Sequence, residues 1–314
     1  MIRLIKFAGI TGITITLFTC NVSVPPSGCE EKPYIVTSTG IVADVVKHVG
    51  GNLLCVEALM GPGTDPHLYK ATPGDINKLL QADIVFYHGL HLEGKMTEVF
   101  EGLKVKKNNT FAITDGIPRD MLIVADSVTK TYDPHVWFSM PLWKQVTLYV
   151  ANVLSDQYPQ NEKDFRQNAK EYIDTLIQWH KYAKAKLSEI PEEKRVLITS
   201  HDAFAYLGTE YGLEVHTLQG VSTLDRYGIA DIEKLANLIV ERQIPAIFVE
   251  TSVNNKGIIA LKSLVRKKGW NVRIGGTLYS DALGEPGTIA ETLPGMFKSN
   301  IDTIVNGLTH EYSH

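Results

Sequence analysis

The sequence predicts an α/β protein of two lobes, each a βαβ-type assembly around a mostly parallel sheet, joined by one long backbone helix. Three observations carry that reading. From Pro33 onward, short apolar runs alternate with amphipathic stretches, the pattern of strands separated by crossover helices. A segment from Gln160 to Glu189 contains neither Pro nor Gly, lies between Pro159 and Pro191, and is followed at once by a restart of the alternation. The length of 314 residues exceeds what one hydrophobic core usually supports and matches two domains.

Residues 1–32 read as a signal peptide and tether. Arg3 and Lys6 precede an apolar run from Phe7 to Phe18, about half the length needed to span a bilayer. Leu17-Phe18-Thr19-Cys20 loosely resembles a lipoprotein cleavage box that would attach lipid to Cys20, although Phe18 and Thr19 fit that box poorly. Export is the expectation, with or without the anchor. Pro25, Pro26, Ser27 and Gly28 make the stretch to Lys32 a flexible linker. Three cysteines cannot all pair. With Cys20 lipidated or removed, Cys29 and Cys55 remain, and the sequence leaves open whether they bridge.

Residues 33–158 form the expected N-terminal lobe. Strands are read at Tyr34–Thr37, Leu53–Leu59, Ile84–Tyr87 and Thr110–Ile113. Helices are read at Val42–Val49, Pro73–Gln81, where Thr72-Pro73 marks the start, and near Lys95–Leu103. The linking helix occupies 159–190. Phe165, Ala169, Tyr172, Leu176, Trp179, Ala183 and Leu187 recur on it at spacings of three and four, one apolar stripe on a charged rod of roughly 45 Å. The C-terminal lobe, 191–314, repeats the first scheme. Strands are expected at Arg195–Thr199, Leu213–Leu218, Ala246–Val249 and Val272–Ile274. Helices are expected at Ile229–Arg242, Lys256–Lys268 and Gly287–Val305.

Two turns share a pattern: Thr64-Asp65-Pro66-His67-Leu68-Tyr69 and Tyr132-Asp133-Pro134-His135-Val136-Trp137-Phe138. Pro fixes its own φ and keeps the preceding residue out of the helical region, so Asp-Pro holds a turn and aims the His beyond it. Either copy alone also suits a turn with a capping Asp and a partly buried His. Two copies, 68 positions apart, suggest loops that converge on one ligand, and neutral imidazole makes a transition metal the first candidate. In open α/β sheets ligands sit beyond the carboxyl ends of strands. His67, His135, His201 and Asp281 all follow or end predicted strands, two in each half. Three imidazoles and a carboxylate suit Zn²⁺, Mn²⁺ or Fe²⁺. Asp65, Asp133 and Glu250 are candidates to orient them. His48, His180 and His216 fall on predicted helices or strands, His310 and His314 in the tail. His88 and His91 lie in a suitable loop with nothing in their flanks to single them out.

The chain resembles the TroA- and ZnuA-like metal-binding proteins of bacterial ABC importers for zinc and manganese. The residues that carry the resemblance are Gly61-Pro62-Gly63-Thr64-Asp65-Pro66-His67, Gly89-Leu90-His91-Leu92-Glu93, Asp133-Pro134-His135-Val136-Trp137, Ser200-His201-Asp202-Ala203-Phe204, Leu218-Gln219-Gly220-Val221-Ser222 and Tyr279-Ser280-Asp281. The resemblance implies a metal site in the cleft between the lobes, with His67, His135, His201 and Asp281 as ligands. It also implies a membrane permease as partner, and a place in the periplasm or on the outer face of the cytoplasmic membrane. The zinc specialists of that group carry a His- and acid-rich loop before the second ligand, whereas Asp115 to Tyr132 has no His. Many manganese specialists carry Glu at the third ligand position, where this chain has His201, so it resembles the intermediate TroA-like kind; manganese is the expected cargo, with zinc bound in vitro. The net charge of −4, without a basic run, argues against nucleic acid. A monomer without catalytic activity is expected. A zinc metallohydrolase is the weaker alternative, since no His-Glu-x-x-His helix occurs. A surface adhesin is the other.

Overall fold

The computed structural model describes Cys29 and residues 31–309; the predicted signal peptide, Cys20, most of the tether, His310 and His314 lie outside the described residues. The first sheet contains β1 (Tyr34–Thr39), β2 (Cys55–Met60), β3 (Ile84–Tyr87) and β4 (Thr110–Ala112), all parallel, in the order β2-β1-β3-β4. Helices α1 (Gly40–Gly50), α2 (Pro73–Gln81) and α3 (Thr97–Lys106) make the crossovers. Every residue of β1 is buried, as befits a strand covered on both faces. Thr39 ends β1 and caps α1 by accepting the Val42 N–H. Thr72 and Asp75 form a reciprocal capping box at α2, which is why that helix starts where its sequence says. Cys29 is joined to Cys55 at the start of β2, with Cα atoms 5.5 Å apart.

Between Ala112 and the long helix the sequence reading placed no element. The structure has a short antiparallel hairpin there, β5 (Val124–Asp126) and β6 (Thr131–Tyr132), then helix α4 (Met140–Gln157). The signal for α4 was present: Ser139 accepts the Leu142 N–H as its cap, and Pro141 sits in the first turn, where its missing N–H costs nothing. The long helix α5 runs Glu162–Leu187, shorter at both ends than expected; before its start Pro159–Asn161 forms a separate 3₁₀ turn. At 1.5 Å per residue it is a rod of about 39 Å. Its stripe is buried as predicted at Phe165, Ala169, Tyr172, Leu176, Ala183 and Leu187, whereas Trp179 is only partly covered and Ile173 is buried beside the stripe.

The second half contains β7 (Val196–Thr199), α6 (Ala205–Tyr211), β8 (Glu214–Thr217), α7 (Ile229–Glu241), β9 (Ala246–Glu250), α8 (Lys256–Lys267), β10 (Arg273–Leu278) and α9 (Leu293–Thr309). β7 pairs with β8 and β9 with β10, both in parallel, and β7 packs beside β9. The spatial order β8-β7-β9-β10 thus repeats that of the first sheet. Two expectations need correction here. β10 continues through Gly275-Gly276, read from sequence as a loop, because a side chain at Gly275 would meet Phe248 and Ala246 within 3 Å; the bare backbone keeps the strand, with a bulge. The last helix begins at Leu293, not Gly287. Gly287 has φ +82°, and Pro294 fits only a first turn, which Thr292 caps by accepting the Gly295 N–H.

One core runs through both lobes along α5. Val42 and Val46 of α1, Leu154 of α4, Tyr206 and Leu207 of α6, and Phe297 and Ile301 of α9 all belong to the cluster that contains Phe165, Tyr172 and Leu176. Separate clusters fill the outer faces, under α2 and α3 in one lobe and under α7 and α8 in the other. Polar contacts fix α5 on both sides: Tyr172 Oη donates to Asp44 Oδ2 of α1 at 2.8 Å, and the Tyr182 hydroxyl donates to Asp302 of α9. Replacing Leu176, 1% exposed, with Ala should destabilise the protein by about 2–5 kcal/mol. Urea unfolding checks this, and a loss below about 1 kcal/mol would show that the seam along α5 is loosely packed.

Candidate metal centre

The loop from Gly61 to Thr72 carries His67 beyond the carboxyl end of β2. Its Asp-Pro-His turn works through the Asp, whose Oδ1 accepts the His67 N–H at 2.9 Å. Pro66 has no N–H to compete, so the carboxylate closes directly on the residue two ahead. The second copy uses the same device. Asp133 Oδ1 accepts the His135 N–H at 2.8 Å, and also lies 2.7 Å from His135 Nδ1. His135 departs from expectation in one respect: it follows the hairpin strand β6 rather than a strand of the parallel sheet. The Asp133 N–H donates to Ile123 O across the base of the hairpin at 2.9 Å. In the second lobe His201 lies two residues beyond β7, and Asp281 three beyond β10.

All four side chains meet between the lobes. One nitrogen or oxygen from each lies within 4.8 Å of the others, and all four residues are buried. His135 Nε2 is 3.4 Å from Asp281 Oδ1, and His201 Nε2 is 3.2 Å from Asp281 Oδ2. Yet Nε2 of His67, His135 and His201 and both carboxylate oxygens of Asp281 carry no hydrogen bond from any protein group. Five buried polar atoms that face one another without a hydrogen bond between them form a set of nitrogen and oxygen ligand atoms, the chemistry a divalent transition metal fits.

Orientation comes from behind. Glu250, at the end of β9, accepts the Ser200 and His201 N–H groups at 2.7 and 3.0 Å, and its Oε2 is 2.6 Å from His201 Nδ1. With Nδ1 donating to a carboxylate in both His135 and His201, each ring turns the bare Nε2 inward. Asp133 and Glu250, candidates from sequence, therefore sit where that role requires. Asp65 does not touch a ring nitrogen; it holds the His67 backbone and accepts from Thr223 Oγ1 of the other lobe at 2.7 Å. Further bonds cross between the lobes: Trp137 Nε1 donates to Ser280 O at 3.0 Å, and Tyr206 Oη donates to Asp133 O and accepts the Ile123 N–H, both at 3.0 Å. The sequence reading missed Thr223, Tyr206 and the indole donor, since nothing local distinguishes them.

Burial and charge pull the four groups in different directions. Burial lowers the His67 pKa to about 3. Burial also opposes charge on His135, but the Asp133 and Asp281 carboxylates outweigh it and push that ring up to about 9. His201 is buried as deeply, and Asp281 and Glu250 raise it well above the histidine range. Burial works against the Asp281 charge, and the two neighbouring rings nonetheless hold it well below the usual carboxylate range. Among the residues set aside from sequence, His91 is exposed at the edge of a cleft of about 430 Å³ that reaches His67 and is lined by Tyr132, Asp202 and Asp225. His88 is fully buried and stands outside the four-residue group.

Comparison with known proteins agrees with this architecture. Residues 35–307 match the family described as ZnuA, zinc-uptake complex component A, periplasmic. The manganese-binding lipoprotein MntA of Bacillus subtilis (strain 168) is 44% identical over 301 residues, covering 96% of this chain and 98% of that one. The metal ABC transporter substrate-binding lipoprotein SsaB of Streptococcus sanguinis is 28% identical over 299 residues, 93% of this chain and 94% of its own. The solved structure of the periplasmic zinc-binding protein TroA from Treponema pallidum superposes with a TM-score of 0.85 at 42% identity, covering 89% of this chain and all of that one. A shared two-lobed fold and a match along nearly the whole described chain lead to one conclusion: the protein belongs to the ZnuA family.

Proposed function

We propose that the protein captures a divalent transition metal outside the cytoplasm and hands it to an ABC transporter permease. The observation that carries this is the buried set of unpartnered lone pairs on His67, His135, His201 and Asp281, which we assign as the ligands. Three neutral imidazoles and one carboxylate leave a bound M²⁺ with one net positive charge inside the set, and the Asp133 and Glu250 carboxylates lie directly behind two of the rings. Four protein ligands in a fully buried pocket favour holding an ion over activating water on it, which supports carriage rather than hydrolysis. The manganese-binding name of the 44% identical relative, and the lack of His from Asp115 to Tyr132, support Mn²⁺ as cargo with Zn²⁺ as the stronger competitor. The Cys29–Cys55 disulfide and the lipoprotein names of relatives support export by the N-terminal segment, with Cys20 as the site of any lipid. α5, fixed to α1 in one lobe and α9 in the other, supports small lobe movements, with release through displacement of a ligand loop.

Replacing His135 or Asp281 with Ala should weaken Mn²⁺ and Zn²⁺ binding by at least 100-fold, read by competition with a chelator. Full affinity in either variant would remove that residue from the site. Metal at a hundredfold excess over its dissociation constant should stabilise the fold by about 2.7 kcal/mol. A melting temperature indifferent to both ions contradicts the whole reading.

The charged surroundings of the rings set the pH dependence. His135 must lose its Nε2 proton to bind metal, and its pKa of about 9 lies above the ordinary histidine value. A raised pKa means the proton competes at higher pH, so affinity should fall as pH drops below about 9, up to tenfold per unit for each proton displaced. Zn²⁺ titrations in buffers of different ionisation enthalpy count those protons; a constant affinity down to about pH 6 sinks this account.

A further inference from the structure

Among the described residues His88 is the one buried imidazole the proposed site leaves unused, and its surroundings are specific. Its backbone is held on both sides: Glu93 Oε1 accepts the His88 N–H at 2.7 Å, and the His88 carbonyl accepts from Thr114 N and Thr114 Oγ1 at 3.2 and 2.8 Å. Glu93 also accepts the Gly89 N–H, so the chain wraps around a buried carboxylate directly after β3. The wrapping is tight enough to put Gly89, Leu90 and His91 in succession at positive φ, a costly conformation for the last two. The ring itself is fixed by the aromatic walls of Trp137, edge-on at 5.1 Å, and Trp143, stacked at 6.5 Å. From there Nε2 reaches Pro134 O at 2.6 Å. A carbonyl only accepts, so Nε2 carries the hydrogen.

Pro134 lies between Asp133, which orients the His135 ring, and His135 itself. Its carbonyl belongs to the peptide bond whose nitrogen is the His135 N–H that closes the Asp-Pro-His turn. Two donors hold its oxygen, His88 Nε2 and the Val136 N–H at 2.7 Å, and Asp133 holds the nitrogen edge of the same peptide plane; of the three, His88 alone ties the plane to the end of β3. The other turn shows the contrast: among the described residues no imidazole donates to Pro66 O, and the Asp65 carboxylate is instead shared with Thr223 across the cleft.

We propose that His88 is a positioning residue for metal binding: it anchors the Pro134 carbonyl to the end of β3 and so fixes where His135 Nε2 points. This rests on the assignment of His135 as a ligand. Groups that orient ligands from behind typically change metal affinity by 10–100-fold, and a donor acting through one peptide plane belongs at the lower end of that range. The effect should appear mainly as faster release, because the turn loses its fixed geometry while the donor set stays intact.

The experiment compares His88→Leu, which keeps apolar bulk and removes the donor, with His88→Gln, whose amide can reach the same carbonyl, and His88→Asn, whose shorter amide cannot. Each is titrated with Zn²⁺ against a competing chelator, its release into excess chelator is timed, and its melting is recorded without metal. The expected result is affinity about tenfold weaker in the Leu and Asn variants, with release faster to match, and restoration by Gln to within about threefold of the parent. Wild-type affinity in the Leu or Asn variant overturns the proposal. So does an equal loss in all three that tracks their melting temperatures, which would make His88 a packing residue only. If the Leu variant does not fold, the Gln and Asn pair decides alone, equal affinities counting against the proposal. His135→Ala is run alongside: if it too binds normally, the assignment of the site has failed, not the role of His88.

Discussion

A buried polar atom without a hydrogen bond costs about 1–3 kcal/mol, and this chain collects five of them at one point between its lobes. That cost organises the rest of the structure. The atoms face one another because the loops that carry the three histidines are pinned from behind by carboxylates. Asp133 and Glu250 take the outer ring nitrogens, and Asp65 takes a backbone N–H. With its neighbours so fixed, the cluster cannot relieve itself by rotating a ring outward or by opening to solvent. What remains is a cluster of nitrogen and oxygen atoms for which a cation and a proton compete.

The architecture explains how loops so far apart in sequence hold such a geometry. The first sheet and the β7-β8 and β9-β10 pairs send the carboxyl ends of their strands towards the same cleft, so loops from separate lobes need only short reaches. α5 supplies the stiffness. A core that runs from α1 and α4 through α5 to α9 leaves no plane along which one lobe turns freely on the other. Bonds across the cleft from Thr223, Tyr206 and Trp137 end on residues that adjoin or orient His67, His135 and Asp281. The positions of the lobes and of the four clustered side chains are therefore coupled.

Much of this was legible in the sequence because the decisive signals are local. The alternation of apolar runs gives the parallel sheets; the bracket of Pro159 and Pro191 gives α5; Asp-Pro-His gives the turns, since one proline and one carboxylate fix each within three residues. What escaped was long-range or ambiguous. The apolar run of α4 follows a proline turn, and Ser139 was not recognised as its cap. Gly275-Gly276 looked like a loop because the reason for two glycines is the nearness of Phe248, Ala246 and Thr303 in the fold. His88 carried no flanking signal: its importance lies in Pro134, 46 residues away in sequence. Helix ends were misjudged by up to six residues where, as at Leu293, a 3₁₀ turn precedes the helix proper.

The Cys29–Cys55 bridge, finally, changes the mechanics of the molecule. β2 is the edge strand of the first sheet, and the bridge enters it at its first residue, while the main chain from Cys29 runs on into β1 beside it. A pull on the chain upstream of Cys29 is thus divided between two adjacent strands through covalent bonds. Without the bridge, the same load would fall on β1 alone and shear its hydrogen bonds to β2 and β3 one row after another. The sheet that carries the His67 loop is in this way insulated from tension on whatever lies before it. Reduction of one bond would turn a protein held at two points into one held at a single strand.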